Sequence, residues 1–210
     1  MKAVMISIKP QWVEKIASGK KTIEVRKSAP KEVPFKAYIY CTNGEYSPTN
    51  CGKKSISDCL ILNRNVVNGK VIGEFVCDRI ICSQAYFDSQ ETHNHPDNYR
   101  HKYSTISACV FPEDIKKTCL DEYDLWDYIA GKAVKANQMY DGYLWHISEL
   151  KIYDKPKELS EFVKAYPIKC GKGYESIDCT GCGSEFTCAK RFITRPPQSW
   201  QYVEELEKEE

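Results

Sequence analysis

The chain has 210 residues and 42% hydrophobic content, enough to bury roughly 70% of its unfolded surface in one core without help from disulfides. Lys+Arg 30 against Asp+Glu 29 leaves a net charge of +1, which excludes disorder by self-repulsion and a protein that coats nucleic acid because it is basic throughout. The total hides an asymmetry: residues 1–40 hold nine basic and three acidic side chains, whereas the second half is net acidic. A local basic zone on a neutral protein points to a sited anionic partner; scattered solvated lysines are the alternative.

No stretch approaches the roughly 18 apolar residues of a membrane-spanning helix. The run between Lys2 and Lys9 is too short for a signal sequence and is followed by no cleavage pattern. A cytoplasmic protein is expected, with its 11 cysteines reduced, so that a cysteine cluster points to metal before disulfide.

In chain order, residues 3–8 (AVMISI) read as a strand. Pro10 suits a first helical position, Trp12, Val13, Ile16 and Ala17 follow at helical spacing, and Gly19 is a left-handed stop. Residues 21–27 (KTIEVRK) alternate: Ile23 and Val25 face one way, Thr22, Glu24 and Arg26 the other, which predicts a half-buried strand with a polar face. Residues 36–42 are β-rich, and 43–58 carry turn chemistry expected to form an exposed loop. Residues 70–82 (KVIGEFVCDRIIC) predict one long strand, with Gly73 at a bulge or close approach. Residues 88–103 are polar and irregular.

Pro112 opens a predicted helix through Leu120, and a second runs from a cap at Asp121 to a stop at Gly131. Residues 142–153 predict a strand, Pro156 a short helix (PKELSEF), and residues 194–204 a last strand before an acidic tail. Short strands dominate with helices between them. The expected fold class is α+β, one compact β-rich domain over residues 1–210, with insertions at about 43–58, 88–104 and 167–191.

The segment Lys9 to Lys27 is the most specific in the chain: a helix, a glycine stop, two lysines, and a strand showing Thr, Glu and Arg. It resembles the ASCH domain family, relatives of the PUA-like fold, whose fingerprint G-x-K-T-x-E-x-R corresponds here to Gly19, Lys21, Thr22, Glu24 and Arg26. The segments GKVIGEF, YLWHISELKIYDKPKELSEF and TRPPQSWQYVEEL look like those of ASCH proteins from bacteria and their prophages. The resemblance implies a PUA-like small mixed β-barrel flanked by helices, a cleft beside the lysine, and binding of RNA or a modified nucleotide. One branch of the family is an amidohydrolase acting on N4-acetylcytidine, with catalytic groups at the lysine matching Lys21 and at a threonine two residues beyond the motif threonine. That second position is Glu24 here, a departure from that branch's pattern. Other members are ribonucleases, and an enzyme of either kind would use Lys21 and Glu24.

On their own chemistry, Lys20, Lys21, Arg26 and Lys27 lie close enough in sequence to meet one anion, the Arg as a rigid fork and the Lys as mobile point charges. Glu24, two positions from Arg26 on a strand, pairs with it or accepts a proton from a base or hydroxyl. The bland reading is an exposed ion pair on a strand edge, worth about 0–1 kcal/mol. Glu74, in an otherwise apolar strand, needs a partner, and Lys21 or Arg26 would serve; an outward-facing polar residue is the alternative. Trp145 and Trp200 are expected in the core, and of Trp145 and His146 one should point inward and one outward.

Cys170, Cys179, Cys182 and Cys188 lie among glycines, and the two-residue gap between Cys179 and Cys182 has the spacing that lets both thiolates reach one zinc. A four-sulfur site would staple an irregular insertion and leave no open position for substrate; a free-thiol loop and oxidised pairs are the alternatives. His93, His95 and His101 are read as solvated loop histidines.

Overall fold

The computed structural model of the chain describes residues 2–44, 67–86, 104–105, 110–131, 135, 137–165 and 192–206. The expected loop 43–58 beyond residue 44, most of the 88–104 insertion, the 167–191 insertion and the clustered histidines lie outside these residues. The chain forms two compact units interleaved in sequence: Met1–Glu14, Pro34–Val76 and Glu149–Glu210 make the first, Lys15–Val33 and Cys77–Ser148 the second.

The first unit is built on a five-stranded sheet, with β1 (Ala3–Ile8), β3 (Phe35–Cys41), β4 (Val71–Cys77), β8 (Ser148–Lys157) and β9 (Trp200–Val203) in the order β8-β4-β3-β1-β9. β1 pairs in parallel with β3 and antiparallel with β9. Each of its six residues is buried, which explains why AVMISI shows no polar alternation. Met5, Tyr38, Val71, Phe162 and Val203 pack into a core in which the Tyr38 and Phe162 rings meet edge to face at 5.0 Å. At Gly73 a Cβ would lie 2.5 Å from the Lys151 carbonyl oxygen. Gly73 thus marks a close backbone approach between β4 and the edge strand β8.

Helix α1 (Pro10–Ala17) carries the chain from the first unit into the second, burying Val13 and Ile16. Gly19 ends it in the left-handed region at φ +72, with its N–H on the Ile16 carbonyl at 2.9 Å. The second unit holds a four-stranded sheet, with β2 (Ile23–Arg26), β5 (Ile80–Tyr86), β6 (Ser104–Thr105) and β7 (Met139–His146) in the order β2-β7-β5-β6, every pair antiparallel. Helices α2 (Pro112–Lys117) and α3 (Glu122–Ala130) belong to it. Asp121 caps α3 by accepting from the Asp124 N–H at 2.7 Å, and Leu125, Trp126 and Ile129 pack with Ile23, Val25 and Leu144.

The α+β class holds, with strands in two sheets and few helices. Among the described residues the sheets are open and close into no barrel. The long strand expected over 70–82 is two strands in different sheets, because Asp78 and Arg79 interrupt it. The strand expected over 142–153 likewise divides, at Ile147, into β7 and β8. Pro156 opens no helix. It sits in β8, an edge strand that tolerates the missing N–H, and only a 3-10 turn, Leu159–Glu161, follows. The last strand is confined to Trp200–Val203.

Candidate functional site

The turn after Gly19 delivers the motif lysine by backbone bonds before any side chain acts. The Lys21 N–H reaches the Lys15 carbonyl at 2.9 Å, and the Thr22 N–H reaches the Lys117 carbonyl at 3.1 Å. The Thr22 carbonyl in turn accepts from the Ile147 N–H at 2.9 Å, so this short segment is tied on both sides. β2 then pairs with β7 in the register Glu24 to Trp145 and Arg26 to Tyr143. With a period of two, Glu24 and Arg26 emerge on the same face.

On that face the three motif charges meet. Glu24 Oε2 lies 3.4 Å from Lys21 Nζ, and Glu24 Oε1 lies 3.0 Å from an Arg26 terminal nitrogen. Lys21 Nζ also donates to the Thr118 carbonyl at 2.8 Å. The expectation of a half-exposed strand is corrected here: all four β2 residues are buried, and Lys21, Glu24 and Arg26 keep 3%, 6% and 7% of their surface. The α2–α3 region meets the turn that leads into the strand, its Lys117 and Thr118 carbonyls bonding the Thr22 N–H and Lys21 Nζ.

Tyr128 of α3 completes the surroundings. Burial raises its phenol pKa and the Glu24 charge adds to the rise, while the charge and hydrogen bond of Arg26 oppose it. The residue remains 40% exposed, and Lys27 Nζ stands 5.9 Å from its ring centroid. Lys20 and Lys27 are exposed and Thr22 is half-buried. Tyr128 escaped the reading of the sequence because it sits a hundred residues from the motif in a helix with its own apolar stripe. The cluster thus has a sealed ionic interior and, on the same chain segment, exposed cations.

Glu74 has other partners. It sits in β4 of the first unit, 3.6 Å from Lys36 Nζ, and accepts from the Tyr153 hydroxyl at 2.5 Å. Lys36 also pairs with Glu205 at 2.8 Å. Burial drives the Tyr153 phenol pKa far above its ordinary value and Glu74 pushes it further. Sequence reasoning did not find Lys36 or Tyr153, since neither lies near Glu74 along the chain.

Trp145 is buried and His146 is half-buried, bonding Asp78 through Nδ1 at 2.6 Å. Trp200 is half-buried. Cys170, Cys179, Cys182 and Cys188 lie outside the described residues, and among the described residues no group of three or more His, Cys, Asp or Glu is placed to hold a metal. No helix among the described residues is long and apolar enough to cross a membrane.

The chain is similar to the crystal structure of ASCH from Zymomonas mobilis, at 16% identity and a TM-score of 0.46 over 97% of this chain and 88% of that one. Two mutants of the Zymomonas mobilis protein match at 15% and 17% identity, with TM-scores of 0.45 and 0.40; the first match covers 97% of this chain and 89% of that one, the second 76% and 77%. No protein-family model and no curated protein matches the sequence.

Proposed function

We propose that the chain is an ASCH-type, PUA-like domain that binds RNA or a modified nucleotide at the Lys21–Glu24–Arg26 cluster. The observation that carries this reading is the convergence of two cations and one carboxylate, each less than a tenth exposed, at one short strand and the turn that leads into it. A charge cluster sealed this thoroughly is a weak source of stability, because desolvation offsets most of its Coulomb gain. It does fix donors and an acceptor in place, which is what recognition of a base edge or polar nucleotide group requires. Exposed Lys20 and Lys27 supply the phosphate contacts, and the Thr22 hydroxyl adds a donor and acceptor beside them.

Binding is favoured over the hydrolase alternative because Lys21 Nζ is engaged with Glu24 and the Thr118 carbonyl, which casts it as a donor and not as a nucleophile. The test is anisotropy with single-stranded RNA and calorimetry with nucleosides, N4-acetylcytidine included. Affinity for RNA should fall as salt rises, and Lys20→Glu with Lys27→Glu should flatten that dependence. Lys21→Met and Arg26→Met should weaken nucleoside binding about tenfold each, the worth of one charged hydrogen bond. Unchanged affinity in folded Lys21→Met and Arg26→Met proteins defeats the reading. Turnover of acetylated cytidine or RNA by the pure protein, lost in Lys21→Met, would replace it with the hydrolase.

A structural zinc on Cys170, Cys179, Cys182 and Cys188 is a separate part of the proposal. Elemental analysis of purified protein should find one zinc per chain, lost when Cys179 and Cys182 are replaced by Ser.

A further inference from the structure

The first unit contains a cavity of about 770 Å³ that uses none of Lys21, Glu24 or Arg26. Its floor crosses three neighbouring strands: Lys36 on β3, Glu74 on β4 and Tyr153 on β8. The three side chains form a polar ladder, with Lys36 Nζ 3.6 Å from Glu74 Oε1 and the Tyr153 hydroxyl donating to Glu74 Oε2. A carboxylate offers about four acceptor positions, and these contacts use two. Its rim is the edge strand β8, where Lys151, Tyr153, Lys155 and Lys157 alternate onto one face. Lys151 and Lys155 are exposed, and among the described residues no ion pair holds either. Lys157 lies 5.9 Å over the Tyr153 ring and 3.9 Å from Glu161.

The volume falls within the range of small-ligand sites, roughly 300–1,000 Å³. Four lysines face three carboxylates around it, Glu74, Asp154 and Glu161. That mixture suits no polyanion running through the cavity, whose successive phosphates would meet the carboxylates as often as the lysines, and leaves room for a single terminal phosphate. It suits a small molecule with an anionic end for the rim and a hydrogen-bond donor for Glu74 on the floor. We propose that this cavity is a second binding site, for a nucleoside monophosphate group, with Lys151 and Lys155 on the phosphate and Glu74 accepting from the base or ribose. The phosphate group has two sources, a free nucleotide or the 5′ end of an RNA.

The test is calorimetry on the full chain with the four ribonucleoside 5′-monophosphates, inorganic phosphate, and a 5′-phosphorylated RNA tetramer, using Lys151→Ala with Lys155→Ala, Glu74→Gln, and Lys21→Met. The wild type should bind at least one monophosphate more tightly than inorganic phosphate. The double lysine variant should lose about tenfold or more in affinity, two exposed cations being removed without disturbing the core. Glu74→Gln should weaken the nucleotide and leave inorganic phosphate unchanged, while Lys21→Met should leave this binding intact. A tetramer that binds as tightly as its free monophosphate assigns the site to RNA ends, and one that binds tenfold more weakly assigns it to free nucleotides. Absence of saturable binding at millimolar monophosphate overturns the proposal. So does binding that survives the double lysine variant and disappears in Lys21→Met, which would place it at the other cluster.

Discussion

The two units each place a glutamate between neighbours on a sheet, and the two arrangements differ in burial. In the second unit Glu24 holds Lys21 and Arg26, with side chains 3–8% exposed. In the first, Glu74 holds Lys36 and Tyr153, with the Lys36 and Glu74 side chains 15% and 21% exposed beside a cavity. Similar chemistry therefore answers to different solvents. In the sealed cluster each charge depends on its protein partners. In the open ladder, water reaches the carboxylate and Glu205 gives Lys36 a second anion at 2.8 Å. The contrast separates a constellation whose charges hold one another in fixed positions out of water from one that water already reaches.

The sharpest way to break the comparison is Glu24→Ala. It leaves two cations buried without their carboxylate, so denaturant unfolding should show a loss of about 3–5 kcal/mol, the cost of orphaning a buried charge. Glu74→Ala removes the corresponding residue of the ladder and should lose only about 1–2 kcal/mol, since Lys36 keeps Glu205 and the Tyr153 hydroxyl gains access to water. Equal losses would erase the distinction between the clusters. Added salt should narrow the Glu74 loss and leave the Glu24 loss nearly unchanged, because screening reaches exposed pairs first.

The motif charges were legible because two periodicities suffice to bring them together: Gly19 ends a helix, and alternation puts Glu24 and Arg26 on one face. Their burial was not legible. It depends on a region remote in sequence, whose Lys117 and Thr118 carbonyls bond the Thr22 N–H and Lys21 Nζ, and which a strand's own pattern cannot announce. The same limit explains the strand expected over 70–82. Apolar runs register burial, not sheet membership, so the passage from one sheet to the other at Asp78 and Arg79 leaves the pattern reading as one long strand. Glu74 was correctly seen to need a partner. Its partners come from β3 and β8, and strand order is a property of the whole fold.

Sealing also governs groups that titrate. Burial pushes the Cys77 thiol up to about 12 and the Cys41 thiol up to about 11, from an ordinary value of 9.0. A raised folded pKa means the native state holds its proton longer than the unfolded chain does. The stabilisation is complete below pH 9 and is lost as pH climbs towards 11–12. Cys77→Ala removes that dependence, so its stability deficit against the wild type should shrink between pH 9 and pH 11 in paired denaturant titrations. A deficit constant across that window would mean that the thiol ionises alike in both states.

The smallest effect belongs to the exposed end of the same scale, the Asp78–His146 pair in the second unit. Its atoms are close, 2.6 Å, yet the His146 and Asp78 side chains are 30% and 51% exposed. The His146 hydrogen bond holds the Asp78 carboxyl below its ordinary value, with burial opposing. A lowered folded pKa stabilises above the ordinary carboxyl range and is lost as pH falls below about 4. Solvent screening discounts the benefit, so Asp78→Asn should cost about 0–1 kcal/mol at neutral pH and progressively less as pH falls through the lowered carboxyl pKa. A loss comparable to that of Glu24→Ala would show that proximity, not burial, sets what a charged contact is worth in this protein, and the ranking of sealed cluster, half-open ladder and exposed pair would collapse.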